Sequence, residues 1–245
     1  MLAVIGGSGL SKLANMEIAG RKVCRTPYGE PSGPLTIGRL RGREVVFLPR
    51  HGHGHTIAPH EVNYRANIRA LKDEGVEGIV SVASVGGIRA DLGPGVLVVP
   101  DQILDYTWGR RSTFFDGAGT AVTHVDFTEP YDRALSSRIL AAAKACGEPI
   151  LHGAVYATTQ GPRLESAAEI NRLERDGADL VGMTGMPEAV LARELDLPYA
   201  AIGVVANYAA GRGDSANRIA LEAIEAVLEE AMGRVRRIIE TLVAA

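Results

Sequence analysis

The chain has 245 residues, 46% of them hydrophobic and 22% charged, which suffices to bury a continuous core and excludes disordered and fibrous classes. Its net charge of −3 argues against a nucleic-acid-binding surface, which requires an excess of Lys and Arg. Only Cys24 and Cys146 are present, which indicates a reducing compartment rather than a disulfide scaffold.

The N-terminal residues favour a β-strand that runs directly into a glycine turn, not a secretory signal. No apolar run reaches the roughly 18–20 residues that a membrane-spanning helix needs. We therefore expect a cytoplasmic protein that has neither a membrane nor a nucleic acid as its partner.

Short runs rich in Val, Ile and Ala alternate with helical periodicity along the whole chain. The predicted strands cover residues 2–5, 44–49, 77–83, 96–99, 151–158 and 199–205. The predicted helices cover residues 61–74, 130–146, 165–176, 187–195 and 216–243, with Asp214 and Ser215 as N-cap candidates for the last. This alternation, without a linker or a repeat, predicts one α/β domain over residues 1–245 with a mixed central β-sheet flanked by helices.

A glycine turn follows the first predicted strand, over residues 6–9. Consecutive glycines let backbone N–H groups converge on an anion, and the hydroxyl of Ser8 adds a donor. The turn lacks the third glycine of a dinucleotide-binding fingerprint and the lysine of a P-loop, so neither of those sites is predicted. A plain turn without a ligand is the alternative.

The segment PRHGHGHT follows the second predicted strand, at residues 49–56. An arginine beside a histidine and glycines suits a tetrahedral oxyanion, so Arg50 and His51 are anion-binding candidates. Two alternatives stay open. One is a metal site in which His51, His53 and His55 share one face of an extended strand, and the other is a surface loop without a ligand.

Three later segments lie where predicted strands end, which is where α/β proteins bind ligands. Glu165 is either a ligand-binding carboxylate or a first-turn acid favoured by the helix dipole. Thr184 can donate to an anion and Met183 can pack on a sugar face, or the segment is only the start of a helix. Asn207 offers an acceptor and a donor on one planar group, although asparagine at a strand end is commonly turn chemistry.

In this order, several segments of the chain resemble the trimeric purine nucleoside phosphorylase and methylthioadenosine phosphorylase family, from Val4 to about Tyr208. The segments are GGSGL, PRHGHGHTIAPHEVNYRANI, SVGGIRADLGPG, TTQGPRLESAAE, VGMTGMPEAVLARE and ANYA. The resemblance implies the nucleoside phosphorylase fold, a homotrimer, and cleavage of a purine nucleoside by inorganic phosphate. Phosphate is then a co-substrate, and neither a metal nor an organic cofactor is required.

The same resemblance implies the site residues. The implied phosphate-binding set comprises Ser8, Arg50, His51, the backbone around Ser84, and Thr184. The implied substrate contacts are Met183 against the ribose, and Tyr64 and Asn67 at the ribose and phosphate edge. Leu164 and His124 are also implied as substrate contacts. His124 lies in a segment that in relatives reaches a neighbouring subunit's site near the 5′ substituent.

The sequence departs from the methylthioadenosine phosphorylases at residues 207–209, where NYA replaces their Asp-Tyr-Asp. Asn207 can accept from the purine N7–H while donating to a C6 oxygen. Glu165 aligns with the glutamate that accepts N1–H in 6-oxopurine-specific enzymes, whereas RHG at residues 50–52 matches the methylthio branch. The combination predicts S-methyl-5′-thioinosine as the substrate, with Asn207 and His51 as catalytic residues.

Several alternatives remain open from the sequence. The chain can be a phosphorylase of 5′-methylthioadenosine, or of inosine and guanosine, or a nucleoside hydrolase that needs no phosphate. A different class is a nucleotide- or metal-binding regulatory protein built on the histidine segment. The apolar residues Ile219 and Ile224 fit a methylthio group, and they fit a buried helix face equally well.

Overall fold

A computed structural model describes residues 1–10, 12–117, 119 and 121–245. Its strands are β1 (Leu2–Gly6), β2 (Glu17–Lys22), β3 (Leu35–Leu40), β4 (Arg43–Pro49), β5 (Gly78–Gly87), β6 (Leu97–Val99), β7 (Gln102–Asp105), β8 (Leu151–His152), β9 (Val155–Thr158), β10 (Leu180–Gly182) and β11 (Tyr199–Tyr208). Its helices are α1 (Tyr64–Asp73), α2 (Arg133–Ala145), α3 (Ala167–Arg175), α4 (Gly185–Glu194) and α5 (Leu221–Ala244), with a 3₁₀ turn at Gly213–Ser215.

The strands form one mixed sheet in the order β2-β3-β4-β1-β5-β10-β9-β7, and β11 joins it by pairing with β5 and β6. The central strands β4, β1, β5 and β11 run parallel to one another, whereas β2, β3 and β4 form an antiparallel meander. This mixed sheet confirms the predicted α/β class. The extent of a single domain over residues 1–245 stays a prediction.

The central strands are continuous apolar runs because helices cover both of their faces. In β1, Leu2 and Val4 pack into a core cluster with α2 and α5. Ala3 and Ile5 point the other way, into a cluster with α1 and α4. This period of two places one helical layer on each side of the sheet. No helix among the described residues combines the length and the apolar character that crossing a membrane requires.

The structure differs from the predicted elements mainly by four additional strands. The strands β2, β3, β7 and β10 were not predicted, and β2 is exposed along its whole length, so it carries no apolar signal. The predicted strand 151–158 is broken at Gly153, which has a φ of 87°. The expected N-caps Asp214 and Ser215 are wrong, because they lie in the 3₁₀ turn and α5 begins only after Ala220.

Candidate active site

A cavity of about 310 Å³ opens where β1, β4, β10 and β11 end. This is the edge at which an α/β sheet binds ligands. The predicted site residues that line it are Ser8, Arg50, His51, Ser84, Leu164, Glu165, Met183, Thr184 and Asn207. The fold therefore brings together residues from six separate stretches of the sequence, and it leaves Tyr64 and His124 outside.

The floor of the cavity is a stretch of β5 that changes partners. β1 pairs with β5 up to Ser81, and β10 pairs with Gly86 and Gly87. In the described part of the chain neither of these strands pairs with residues 82–85, and Ser84 lies in the middle of that stretch. Its backbone edge therefore faces the cavity and offers hydrogen-bonding groups to a ligand. This is the geometry that predicted backbone contacts around Ser84 require.

Arg50 lies at one end of the cavity with its guanidinium fully buried. Its Nε donates to Glu188 at 2.7 Å, and its Nη2 donates to Glu188 at 2.9 Å and to Ser81 Oγ at 2.6 Å. Its Nη1 donates to the backbone oxygen of Val82 at 3.0 Å. These bonds use all but one of the guanidinium N–H groups, so a single N–H on Nη1 remains for an anion.

Glu188 is the partner that sequence reasoning missed, since its position suggested only a first-turn acid of a helix. It is fully buried and also accepts from Ser81 Oγ at 2.7 Å and from Tyr199 Oη at 2.8 Å. Burial raises the pKa of its carboxyl, but Arg50 and these donors outweigh burial and hold that pKa below its ordinary value. One feature of the sequence could have indicated this role of Glu188. The acid lies within the apolar run MPEAVLA, which is expected to be buried, and a buried charge without a partner is too costly.

His51 follows Arg50 and is nearly buried. Its Nδ1 lies 2.8 Å from the backbone oxygen of Ile57, and since a carbonyl only accepts, Nδ1 carries the proton. Burial, and next the charge of Arg50, lower the pKa of His51 to about 4. The imidazole is therefore neutral at neutral pH, with Nε2 left as an acceptor for a ligand O–H rather than as a cation for an anion.

The other histidines of the segment do not converge on a common point with His51. The rings of His51 and His55 lie 4.5 Å apart between centroids, whereas the side chain of His53 is exposed. Over residues 1–10, 12–117, 119 and 121–245, no group of three or more His, Cys, Asp or Glu is arranged to hold a metal ion. His55 Nε2 instead lies 3.4 Å from Ser8 Oγ at the cavity mouth.

The glycine turn and the start of α4 close the anion end. A Cβ atom at Gly7 would lie 2.7 Å from the Val82 oxygen and 2.8 Å from Arg50 Nη1, so only glycine permits this approach. Ser8 follows directly and lines the cavity. Thr184 is the N-cap of α4, yet its side chain makes no capping hydrogen bond, and it is nearly buried against the cavity. Ser8 and Thr184 thus line the same cavity as Arg50.

Glu165 lies at the opposite end and is not a first-turn acid. Helix α3 begins after Ser166, which forms a capping box with Glu169, so Glu169 occupies the first turn. Glu165 accepts from Thr159 Oγ1 at 2.6 Å through one carboxylate oxygen. In the part of the chain that the structure describes, its second oxygen has no protein donor and is free to accept from a ligand.

Asn207 owes its direction to a bulge in β11. The pairing of β11 with β5 shifts register between Val205 and Asn207, which leaves Ala206 unpaired and turns the following side chain. Asn207 Nδ2 donates to the Tyr208 backbone oxygen at 2.6 Å, which fixes the amide plane. Its carbonyl oxygen and one N–H remain for a ligand, as the predicted pairing with a 6-oxopurine requires.

Three predicted contacts lie elsewhere. Tyr64 does not reach the cavity, because it is buried in the core beside α4 and donates to the Pro59 backbone oxygen at 2.8 Å. The side chain of Asn67 makes two hydrogen bonds with Ser32. Its Oδ1 accepts from the Ser32 backbone N–H at 2.8 Å, and its Nδ2 donates to Ser32 Oγ at 3.0 Å. The substrate contacts expected of Tyr64 and Asn67 stay predictions. His124 lies exposed between β7 and α2, so its expected contact with a neighbouring subunit stays a prediction.

Ile219 and Ile224 line the cavity together with Leu164. The sequence left open whether these isoleucines face a ligand or only cover the sheet. Ile219 precedes α5, and Ile224 lies near its start, where it lines the cavity and also packs against the core cluster whose buried α5 residues begin at Leu228. This side of the cavity is therefore apolar.

Comparison with known proteins agrees with this geometry. The Phosphorylase superfamily model matches residues 1–244. A probable S-methyl-5′-thioinosine phosphorylase of Xanthomonas campestris is 55% identical over 214 residues, covering 87% of this chain and 86% of that protein. The 6-oxopurine nucleoside phosphorylase of Pyrococcus furiosus is 45% identical over 215 residues, covering 86% and 80%. Methylthioadenosine phosphorylase from Schistosoma mansoni, solved with adenine, superposes with a TM-score of 0.94 at 32% identity, covering 99% and 90%. The chain belongs to the phosphorylase superfamily, which confirms the nucleoside phosphorylase family and fold predicted from its motifs.

Proposed function

We propose that this chain cleaves S-methyl-5′-thioinosine with inorganic phosphate, giving hypoxanthine and 5-methylthioribose 1-phosphate. The observation that carries the proposal is that Glu165 and Asn207, which keep hydrogen-bonding groups free, line the same cavity as Arg50. Similarity to relatives named for methylthioinosine and for 6-oxopurine nucleosides supports it.

At the anion end, phosphate is held as a positioned nucleophile. Arg50 Nη1, Thr184 and Ser8 offer donors, and neutral His51 accepts from a phosphate O–H. As the N-glycosidic bond breaks, positive charge develops at the anomeric carbon and is stabilised by the adjacent phosphate. A phosphate oxygen forms the new bond to that carbon from the opposite face, with inversion, while the purine leaves with the bonding electrons.

At the base end, the residues select the purine edge. As negative charge develops on the leaving base, N7 takes up a proton from solvent. The Asn207 carbonyl oxygen accepts from the N7–H so formed, and its amide N–H donates to O6. Glu165 accepts from N1–H through its second oxygen. Adenine carries a lone pair at N1 and an amino group at C6, so both contacts are mismatched. Such a mismatch of buried hydrogen-bonding groups can reject a substrate by roughly 10⁴-fold.

The apolar side of the cavity selects the 5′ substituent. Ile219, Ile224 and Leu164 offer no polar side-chain group to a ligand. A methylthio group buried there gains hydrophobic free energy, whereas a 5′-hydroxyl loses its hydrogen bonds with water. This favours a methylthio nucleoside over inosine.

We also propose that the enzyme is a cytoplasmic homotrimer that needs no cofactor besides phosphate. The segment that carries His124 exposes two large apolar residues, Trp108 and Val122, as expected of a surface that another subunit covers. In such a trimer His124 reaches the neighbouring cavity near the 5′ substituent. Light scattering of the purified protein measures the assembly, and a monomer contradicts it.

The function is tested by chromatographic detection of products from methylthioinosine, methylthioadenosine and inosine, each with and without phosphate. We expect fast, phosphate-dependent release of hypoxanthine from methylthioinosine. A preference for methylthioadenosine contradicts the assignment of Glu165 and Asn207. Turnover that is independent of phosphate contradicts the assignment of the anion end and favours a hydrolase.

A further inference from the structure

Arg110 carries no role in the sequence-based predictions, yet its guanidinium joins two segments of the cavity wall. Its Nη1 donates to the backbone oxygens of Met183 at 2.8 Å and Met186 at 2.6 Å. Its Nη2 donates to the backbone oxygens of Gln160 at 2.8 Å and Thr159 at 3.2 Å. One side chain from the segment between β7 and α2 thus bonds to both walls.

The two segments carry different halves of the site. Met183 and Thr184 belong to the sugar and anion side. Thr159 begins the stretch that ends in the cavity at Glu165, and its hydroxyl donates directly to the Glu165 carboxylate at 2.6 Å. The backbones of the two segments are joined directly only as far as the bond from the Thr159 N–H to the Gly182 oxygen at 2.8 Å. Beyond that point, their spacing depends on the side chain that joins Gln160 to Met183 and Met186.

The chemistry of Arg110 suits such a clamp. Over the described residues, no carboxylate lies within ion-pairing distance of its guanidinium, so its bonds go to carbonyl dipoles instead. The guanidinium also lies over the ring of Tyr64, with 5.5 Å between its carbon and the ring centroid. Nη1 lies 3.3 Å from the Tyr64 hydroxyl. A planar fork can reach four carbonyls in two directions, whereas the single ammonium of a lysine cannot.

We propose that Arg110 is a positioning residue for phosphorolysis, which fixes the base-binding segment relative to the anion-binding segment. The inference rests on the proposed function of the same cavity. Arg110 touches neither substrate. Its loss leaves each half of the site present but misplaced relative to the other, and a misplacement of about 1 Å can reduce turnover by about 10²-fold.

The test compares Arg110→Ala and Arg110→Lys with Arg111→Ala as the matched control. Arg111 is the next residue and is strongly exposed, and among the described residues it makes only a long ion pair of 3.4 Å with Asp116. On the nucleoside that the wild type uses best, we expect kcat to fall about 100-fold in Arg110→Ala and at least about 10-fold in Arg110→Lys. The control should remain within about twofold of wild type.

Chemical rescue separates positioning from mere folding. Low millimolar guanidinium should restore part of the kcat of Arg110→Ala, whereas ammonium at the same concentration should not. If Arg110→Ala does not fold, the comparison of kcat between Arg110→Lys and wild type is the test. A kcat near wild type in Arg110→Lys, or a loss in a folded Arg110→Ala that guanidinium does not restore, overturns the proposal.

The wild-type rates distinguish a failure of the proposed function from a failure of the positioning role of Arg110. A wild type that turns over none of the nucleosides defeats the proposed function, whatever the variants do. The clamp is then tested by calorimetric titration of hypoxanthine into phosphate-saturated protein. Binding that is at least about 10-fold weaker in Arg110→Lys than in Arg111→Ala supports the clamp, and equal binding overturns it.

Discussion

The two ends of the cavity are built in different ways. At the anion end, Arg50 and Glu188 are fully buried, and each is fixed by several hydrogen bonds from strands and helices of the core. At the base end, Glu165 and Asn207 are only partly buried and make one side-chain hydrogen bond each. Leu164 beside them is 41% exposed.

The difference follows from what each end must do. A charge in the low-dielectric core is tolerable only with full compensation, so Arg50 and Glu188 are surrounded by partners. Groups that recognise a base must keep donors and acceptors free for it, so Glu165 and Asn207 cannot be saturated by the protein. We therefore expect changes at the anion end to cost stability and changes at the base end to alter specificity.

The largest effect should come from Glu188→Ala, which leaves the buried Arg50 charge unpaired. We expect the free energy of unfolding to fall by about 3–5 kcal/mol, measured by urea denaturation at fixed protein concentration. The control is Asp73→Ala, which removes an exposed i,i+4 pair with Arg69 and should cost at most about 0.5 kcal/mol. Equal losses in the two variants would remove the contrast between the ends.

His51 should make stability depend on pH. Its pKa of about 4 in the folded protein lies below the ordinary value near 6.5, so the unfolded chain binds the extra proton first. Its contribution to stability is therefore complete above about pH 6.5 and is lost as pH falls towards 4, by about 3 kcal/mol in total.

The measurement is urea denaturation at pH values between 7 and 4 for wild type and His51→Asn. Because asparagine does not titrate, the variant should lose less stability over this range than wild type. His152→Asn removes an exposed histidine and should retain the wild-type pH dependence. Parallel curves for wild type and His51→Asn would contradict a buried neutral imidazole.

Asn207→Asp should alter base selection with little cost in stability. The carboxylate accepts from an amino group but cannot donate to O6, so the ratio of kcat/KM for methylthioinosine to that for methylthioadenosine should fall by about 10–100-fold. We expect the free energy of unfolding to change by less than about 1 kcal/mol, because the residue is partly exposed. An unchanged ratio would refute the role of Asn207 in base selection.

The smallest predicted effect is at the apolar side of the cavity. Ile224→Ser should reduce the preference for methylthioinosine over inosine by about 5–10-fold, since about 1 kcal/mol of hydrophobic free energy is lost. Val227→Ser, on the same helix but outside this cavity, is the matched control and should leave the preference unchanged. Equal effects would assign Ile224 to the helix face alone.

The sequence predicted the central fold well because the buried strands are continuous apolar runs with clear ends. It did not predict β2, because that strand is an exposed edge without a usable period. It did not predict β10, because the two apolar residues Leu180 and Val181 between Asp179 and Gly182 are too few to mark a strand. In the site, chemical type and position at strand ends sufficed to select Arg50, Glu165 and Asn207. Their exact partners depend on side chains that only the folded chain brings together.

Two residues illustrate that limit. Glu188 looks like an ordinary helix-start acid until Arg50 is found beside it in the core. Arg110 looks like a surface arginine because its partners are backbone carbonyls, which every residue has and no sequence pattern marks. Tyr64 belongs to a recognised segment, yet it packs in the core beside α4 and is not among the residues that line the cavity.

The pairing of β5 with strands from both ends of the chain also affects when the cavity can form during synthesis. β5 receives β1 from the start of the chain and β11 from near its end, with Ile79 paired to Tyr199. During synthesis on the ribosome, the floor of the cavity therefore cannot be completed until β11 emerges, after most of the chain. The residues proposed for phosphate all precede β11, whereas Asn207 lies on it, so binding of the base rather than of phosphate reports that β11 has been inserted.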